Sequence, residues 1–184
     1  MAQYNEYTLM LPDGIEVLYT DSGALNTANY TTTVVLHGNG FNGHGFVRLY
    51  DYAHKHNLRT VICNRRDYPG STKYSNEELA DVREGRQMFL DRLALQTAWF
   101  LKHFIEQENT ARVTGDRTAR GFILMGWSYN FPRDVADPAV IPQPLYKTVE
   151  PYLRSLVVYN PPILALGYSH PMPEGVYDPL SDPK

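Results

Sequence analysis

The chain has 184 residues, 43% of them hydrophobic and 20% charged, with a formal net charge of -3. That is enough for one domain with a real core, and the weak acidity argues against a nucleic-acid or anionic-membrane partner. A single cysteine, Cys63, leaves no internal disulfide to form, and no basic leader or 18-residue apolar run occurs, so a cytoplasmic protein without a membrane span is expected.

In chain order, residues 4–10 and 15–20 read as two strands joined by the turn Pro12-Asp13-Gly14, an N-terminal hairpin. Residues 21–30 are a polar loop. Residues 31–36 are β-branched and predict a central strand. Gly38, Gly40, Gly43 and Gly45 then give a loop able to pass close to a ligand. Residues 46–57 follow as a helix with Phe46, Leu49, Tyr50 and Ala53 on one face. Residues 59–63 are the next strand, with Cys63 as a small buried hydrophobe, and residues 64–74 are a loop.

Ser75 to Glu78 fits a capping box. The helix after it carries Phe89, Leu90, Leu93, Ala94, Thr97, Phe100, Leu101 and Phe104 on one stripe, with Gly85 as a break or bend. Residues 106–120 are a polar linker. Residues 121–125 are an apolar run fit for a buried parallel strand. A helix is expected from Tyr129, with Pro132 in its first turn and Pro138 ending it after about two turns. Leu145, Val149, Tyr152 and Leu153 mark a second short helix interrupted by Pro151, and residues 155–159 a sixth strand. Most of the 13 prolines fall after residue 130, and residues 166–184 read as an irregular tail. Strands alternating with helices after an opening hairpin predict an α/β fold: a three-layer α/β/α sandwich on a mostly parallel sheet, one domain over residues 1–184 with its core in 1–165.

Three stretches carry chemistry. Gly126-Trp127-Ser128-Tyr129-Asn130 nearly matches G-x-S-x-G, in which a serine sits on a sharp strand-to-helix turn. Upstream lies Thr33-Val34-Val35-Leu36-His37-Gly38-Asn39-Gly40, and between them Asn64-Arg65-Arg66-Asp67-Tyr68-Pro69-Gly70-Ser71. In that order and spacing the chain resembles the α/β-hydrolase superfamily, serine hydrolases of the AB hydrolase-1 type, uncharacterised fungal members among them, shortened at the C-terminus. The resemblance implies a nucleophile elbow at Ser128, and an oxyanion hole from the backbone N–H groups of Asn39 and Tyr129. It further implies a substrate-binding surface at Gly38, Gly40 and Trp127, a small-molecule ester or related substrate, and no cofactor.

A serine hydroxyl needs a base to take its proton and an acid to orient that base. In this superfamily the order is Ser, then Asp or Glu, then His. His37, His44, His54, His56 and His103 all precede Ser128; only His170 follows it, in a proline-flanked loop. His170 is therefore the candidate base, and an exposed loop histidine is its plain structural alternative. His37 reads as structural, and the other four as surface or helix-face residues. No acid stands out: Asn160 occupies the end of the sixth strand, and Asp134, Asp137 and Asp178 are loop residues. Asn130 departs from the motif's final glycine. Arg65-Arg66-Asp67 reads as loop structure before it reads as an anion clamp. No His, Cys and carboxylate cluster has metal-ligand spacing.

Two other readings stand beside the hydrolase. Gly38-Asn39-Gly40-Phe41-Asn42-Gly43 is a formal G-x-G-x-x-G after a strand, and Arg65 and Arg66 follow the next strand, as an NADP-binding Rossmann unit would have it; a loop continued through Gly45, an opening hairpin and the unexplained Gly-Trp-Ser speak against it. The third reading is a hydrolase fold without the chemistry, a binding protein or gene fragment, whose apolar sixth strand invites self-association through an open sheet edge.

Overall fold

The computed structural model describes residues 3–128 and 133–161, with only the backbone given for residues 133 and 134. Six strands form one sheet: β1 (Asn5–Met10), β2 (Glu16–Asp21), β3 (Thr31–Leu36), β4 (Leu58–Cys63), β5 (Phe122–Trp127) and β6 (Leu153–Tyr159), in spatial order β1-β2-β4-β3-β5-β6. The β1–β2 and β2–β4 pairs are antiparallel; β4–β3, β3–β5 and β5–β6 are parallel. Parallel strands need covering on both faces, and they have it. Val34, Leu36, Val61, Cys63 and Leu124 join the core cluster under the long helix. Val35 and Ile62, one residue out of phase, pack with Tyr50 on the opposite face.

The covering helices are α1 (Tyr50–Ala53), α2 (Asn76–Arg83), α3 (Gln87–Gln107) and α4 (Gln143–Val149). Ser75 caps α2 as the spacing predicts: the Glu78 N–H donates to Ser75 Oγ at 3.2 Å and the Ser75 N–H to Glu78 Oε2 at 2.8 Å. The stretch after Ser75 is two helices, because Gly85 at φ 63° turns the chain between them. On α3 the stripe is buried at Ala94, Phe100, Leu101 and Phe104, whereas Leu90 is 46% exposed. The first turns of α3 are more exposed and meet less of the core.

Several boundaries differ from the sequence reading. Helical turns begin at Gly43 rather than Phe46: a 3-10 segment, Gly43–Leu49, starts on Asn42, whose side chain accepts the His44 N–H, and runs into α1 and a second 3-10 turn, His54–His56. Gly45 thus does not prolong the loop. Strand β2 continues to Asp21, because Asp21 is a partner rather than a loop residue: its carboxylate accepts Arg59 Nε at 3.0 Å and Nη2 at 2.5 Å, both side chains being buried. Arg59 also reaches Glu108 at 2.9 Å, tying β2, β4 and the end of α3 together. Leu153 opens β6 instead of ending a helix. Of the helix expected after Ser128, residues 129–132 lie outside the described region, and Arg133–Ala136 is a single 3-10 turn.

The sheet order also removes the Rossmann reading. A dinucleotide-binding unit opens on a parallel strand at the middle of its sheet; here a hairpin precedes that strand and pairs antiparallel with β4. Among the described residues no helix is long and apolar enough to cross a membrane.

Candidate active site

Strand β5 alternates between buried and half-buried residues up to Trp127. Ser128 then leaves the extended conformation at φ 60°. A non-glycine residue in left-handed backbone costs about 1–2 kcal/mol, and such strain persists only where the surroundings impose it. The Ser128 N–H still donates to Tyr159 O at 3.0 Å, one step beyond the last ladder pair of β5 and β6. The chain therefore turns sharply at the C-terminal end of a central parallel strand, where ligands of open α/β sheets bind.

The loop after β3 lies against this serine. A Cβ on Gly38 would stand 2.8 Å from Ser128 Cβ, 3.2 Å from Trp127 O and 3.5 Å from Ser128 Oγ. Gly38 is thus required by contact. Gly40 is different: a Cβ there would meet nothing within 4 Å, so close approach does not explain it. Asn39, between them, is held from the other side. Its side-chain oxygen accepts from Arg65 Nη1 and its backbone carbonyl from the Tyr68 hydroxyl.

His37 underpins the loop. It is fully buried; its Nδ1 lies 2.7 Å from Gly38 O and its Nε2 accepts the Arg65 N–H at 2.9 Å. An acceptor role at Nε2 places the proton on Nδ1, donating to Gly38 O, so the ring is neutral with both nitrogens engaged. Burial, and secondarily the Arg65 charge, bring its pKa down to about 4. Its edge meets the Tyr68 ring at 4.4 Å. This geometry suits a strut between the loops after β3 and β4, as the sequence suggested, and not a base.

Asn64 is the part that sequence reasoning missed. Buried at the end of β4, it accepts the Gly43 N–H at 2.7 Å, donates to Pro69 O at 3.0 Å and receives the Ser71 hydroxyl on its own carbonyl at 2.8 Å. One amide side chain thus ties the loop after β4 to the loop after β3, which borders Ser128. The only available signal was an Asn between an apolar strand and a turn. Gly70, at φ 83°, has Leu18 atoms within 3.0 Å of the position a Cβ would take.

Two aromatics flank Trp127. Phe41, 64% exposed, stacks on it with ring centroids 5.7 Å apart; Phe46 packs on the Val35, Tyr50 and Ile62 cluster, as its helix stripe predicts, and also meets Trp127 edge-on at 5.4 Å. They form an apolar wall next to Ser128.

Tyr129, Asn130, His170 and Asp178 lie outside the described residues, as does the Asp134 side chain. Asp137 caps a turn, accepting the Ala139 N–H at 2.8 Å. Asn160, at φ 46°, is exposed. His44, His54 and His56 are exposed, and His103 is half-buried on α3 beside Phe104. Cys63 is buried, and burial pushes its thiol pKa up, away from reactivity. Among the described residues no group of three His, Cys, Asp or Glu is placed to hold a metal ion.

No protein-family model and no curated protein sequence matches the chain. Solved structures do match. A predicted CIB-like hydrolase from Thermoplasma acidophilum superposes with a TM-score of 0.53 at 14% identity, over 86% of this chain and 63% of that one. Cfl2 from Burkholderia cenocepacia gives 0.58 at 16%, over 94% of this chain and 47% of that one. The haloalkane dehalogenase DatA from Agrobacterium tumefaciens C58 gives 0.53 at 15%, over 86% and 41%. The chain thus spans less than two thirds of the length of these structures. At such identities the likeness is one of fold: this is an α/β-hydrolase-fold protein, with the mixed six-stranded sheet and flanking helices of that fold.

Proposed function

We propose that Ser128 occupies the nucleophile position of a serine hydrolase, with the Asn39 and Tyr129 backbone N–H groups as oxyanion donors. Gly38, Gly40 and Trp127 form the substrate-binding surface. The supporting observation is the contact of Gly38 with a Ser128 held at φ 60° at the end of β5. Such a turn exposes the hydroxyl to a substrate carbonyl, and the β3 loop beside it brings backbone donors to the developing oxyanion. The substrate class is an ester or related bond in a small molecule, with an acyl group against Phe41, Phe46 and Trp127. Ser128 Oγ attacks the carbonyl carbon, its proton passing through a base to the departing alcohol as the ester C–O bond breaks. Water then hydrolyses the acyl–Oγ bond to free the acid and restore the hydroxyl. No cofactor is required for this chemistry, and the reading carries with it a cytoplasmic location. Within the superfamily the placement we favour is the AB hydrolase-1 type.

A second reading is favoured by His37. Among the described residues, His37 is bonded by its ring into the loops around Ser128, committed at both nitrogens and kept neutral, so it does not activate the serine. The base then falls to His170, or the chain as it stands binds ligands without turning them over. Without a base, the oxyanion hole and binding leave about 10³–10⁴-fold over water. A fluorophosphonate probe reports an activated serine whatever the substrate. We expect slow labelling of the 184-residue chain. Fast labelling abolished by Ser128→Ala and by His170→Ala would establish a working triad; fast labelling that survives Ser128→Ala would remove the proposal.

A further inference from the structure

Between α3 and the sheet, at the C-terminal ends of β3 and β4, lies a cavity of about 60 Å³. Its apolar walls include Val17, Leu36, Leu93 and Phe100; Arg65 and Arg66 line it as well. Arg66 has 5% of its side chain exposed and pairs end-on with Glu78, Nη1 to Oε1 at 2.5 Å and Nη2 to Oε2 at 2.8 Å, while Nη2 also donates to Lys73 O. That pairing leaves Nε over. The Nε of Arg66 and the Nε of Arg65 are both buried without an acceptor. Arg65 donates to the Asn39 amide oxygen and also meets the Tyr74 hydroxyl, and among the described residues neither partner carries a compensating charge. A buried donor without a partner costs about 1–3 kcal/mol, and more when it belongs to a charged group. Both arginines line the cavity and each keeps a buried Nε–H without an acceptor, a setting that suits an anion with acceptor oxygens.

We propose that this cavity is a binding site for a small carboxylate, its oxygens received by the Arg65 and Arg66 Nε–H groups and its alkyl carbon by the apolar wall. The size fits. A cavity of about 150 Å³ holds benzene, so this one takes a few heavy atoms, a carboxylate with one or two carbons. A guanidinium donates to carboxylate oxygens in charge-assisted bonds stronger than a water would give. The site is separate from Ser128 and does not depend on its chemistry.

The probe is acetate, titrated against the full chain while the thermal midpoint is followed, with chloride at matched ionic strength and acetamide as controls. Acetate should raise the midpoint saturably; chloride and acetamide should not. Arg66→Lys keeps a cation for Glu78 but loses Nε, and should weaken half-saturation at least tenfold. If that variant does not fold, Thr97→Met decides: Thr97 lines the cavity, and its hydroxyl bonds only the Leu93 carbonyl within α3, so the longer side chain fills the space and spares both arginines. It should weaken acetate to the same degree. Ser128→Ala should leave the response unchanged. Equal effects of chloride or acetamide, an undiminished response in Thr97→Met, or loss of the response in Ser128→Ala would each overturn the proposal; the last would put the anion at the serine instead.

Discussion

At the scale of single residues, His37 sets a pH dependence whose sign follows from its environment. Folding lowers its pKa from the usual 6.5 to about 4. As pH falls below 6.5 the unfolded chain takes up this proton while the folded chain does not, so stability from this group is complete above 6.5, drains away between 6.5 and 4, and changes no further below. The whole effect is on the order of 3 kcal/mol. Urea unfolding at pH 7 and pH 4.5 should show the loss, and His37→Gln should flatten it; an undiminished slope in the variant would assign the dependence to other groups. The role of His37 was legible in its sequence context, because a histidine between an apolar strand and a glycine reads as part of the loop. Asn64 and Phe41 were not, since their importance lies in partners far along the chain, which local pattern does not encode.

Among the elements, β5 depends on the residue just before it. Gly121 stands at φ 61°, and a Cβ there would lie 2.3 Å from Tyr152 O and 2.4 Å from Val113 Cγ2. Its own carbonyl accepts the Thr32 N–H at 2.9 Å, so the backbone cannot simply swing aside. Gly121→Ala combines left-handed strain with overpacking against backbone, and should cost about 2–4 kcal/mol. Denaturant melting measures this, and a change below about 1 kcal/mol would show that the Tyr152 turn and Val113 yield to make room. The same comparison shows what sequence patterning reaches. Apolar runs and caps located all six strands, and α2 and α3 besides. The helical region expected over 46–57 is present, but its start was placed three residues late because glycine spacing suggests a loop, whereas the Asn42 side chain starts a 3-10 turn among those glycines. The stripe on α3 was overextended because periodicity reports which face is apolar and not how far its neighbour reaches.

Across the whole molecule, β6 is the edge strand among the described residues, with Leu156, Val157, Val158 and Tyr159 each between 37% and 53% exposed. Its charged residue, Arg154, is turned inward, donating to Arg117 O and Thr31 Oγ1, so no cation guards the strand's outer half. Exposed, uncharged edges pair with other chains. We expect the 184-residue chain to sediment with a weight-average mass that rises over the micromolar range, and Val157→Lys to suppress the rise; a monomer at every concentration would count against an open edge. Fold class is the level at which the sequence spoke most clearly, because three loops at the ends of β3, β4 and β5 bear side-chain requirements that few other folds share. The contact of Gly38 with Ser128 also has a kinetic side. β3 and β5 are neighbours in the sheet but are separated along the chain by β4, α2 and α3, so the two halves of the site meet only after a long loop closes, a slow event compared with forming α3. In a refolding experiment, helical signal should return first and the environment of Trp127 last, making its fluorescence a clock for assembly of the pocket.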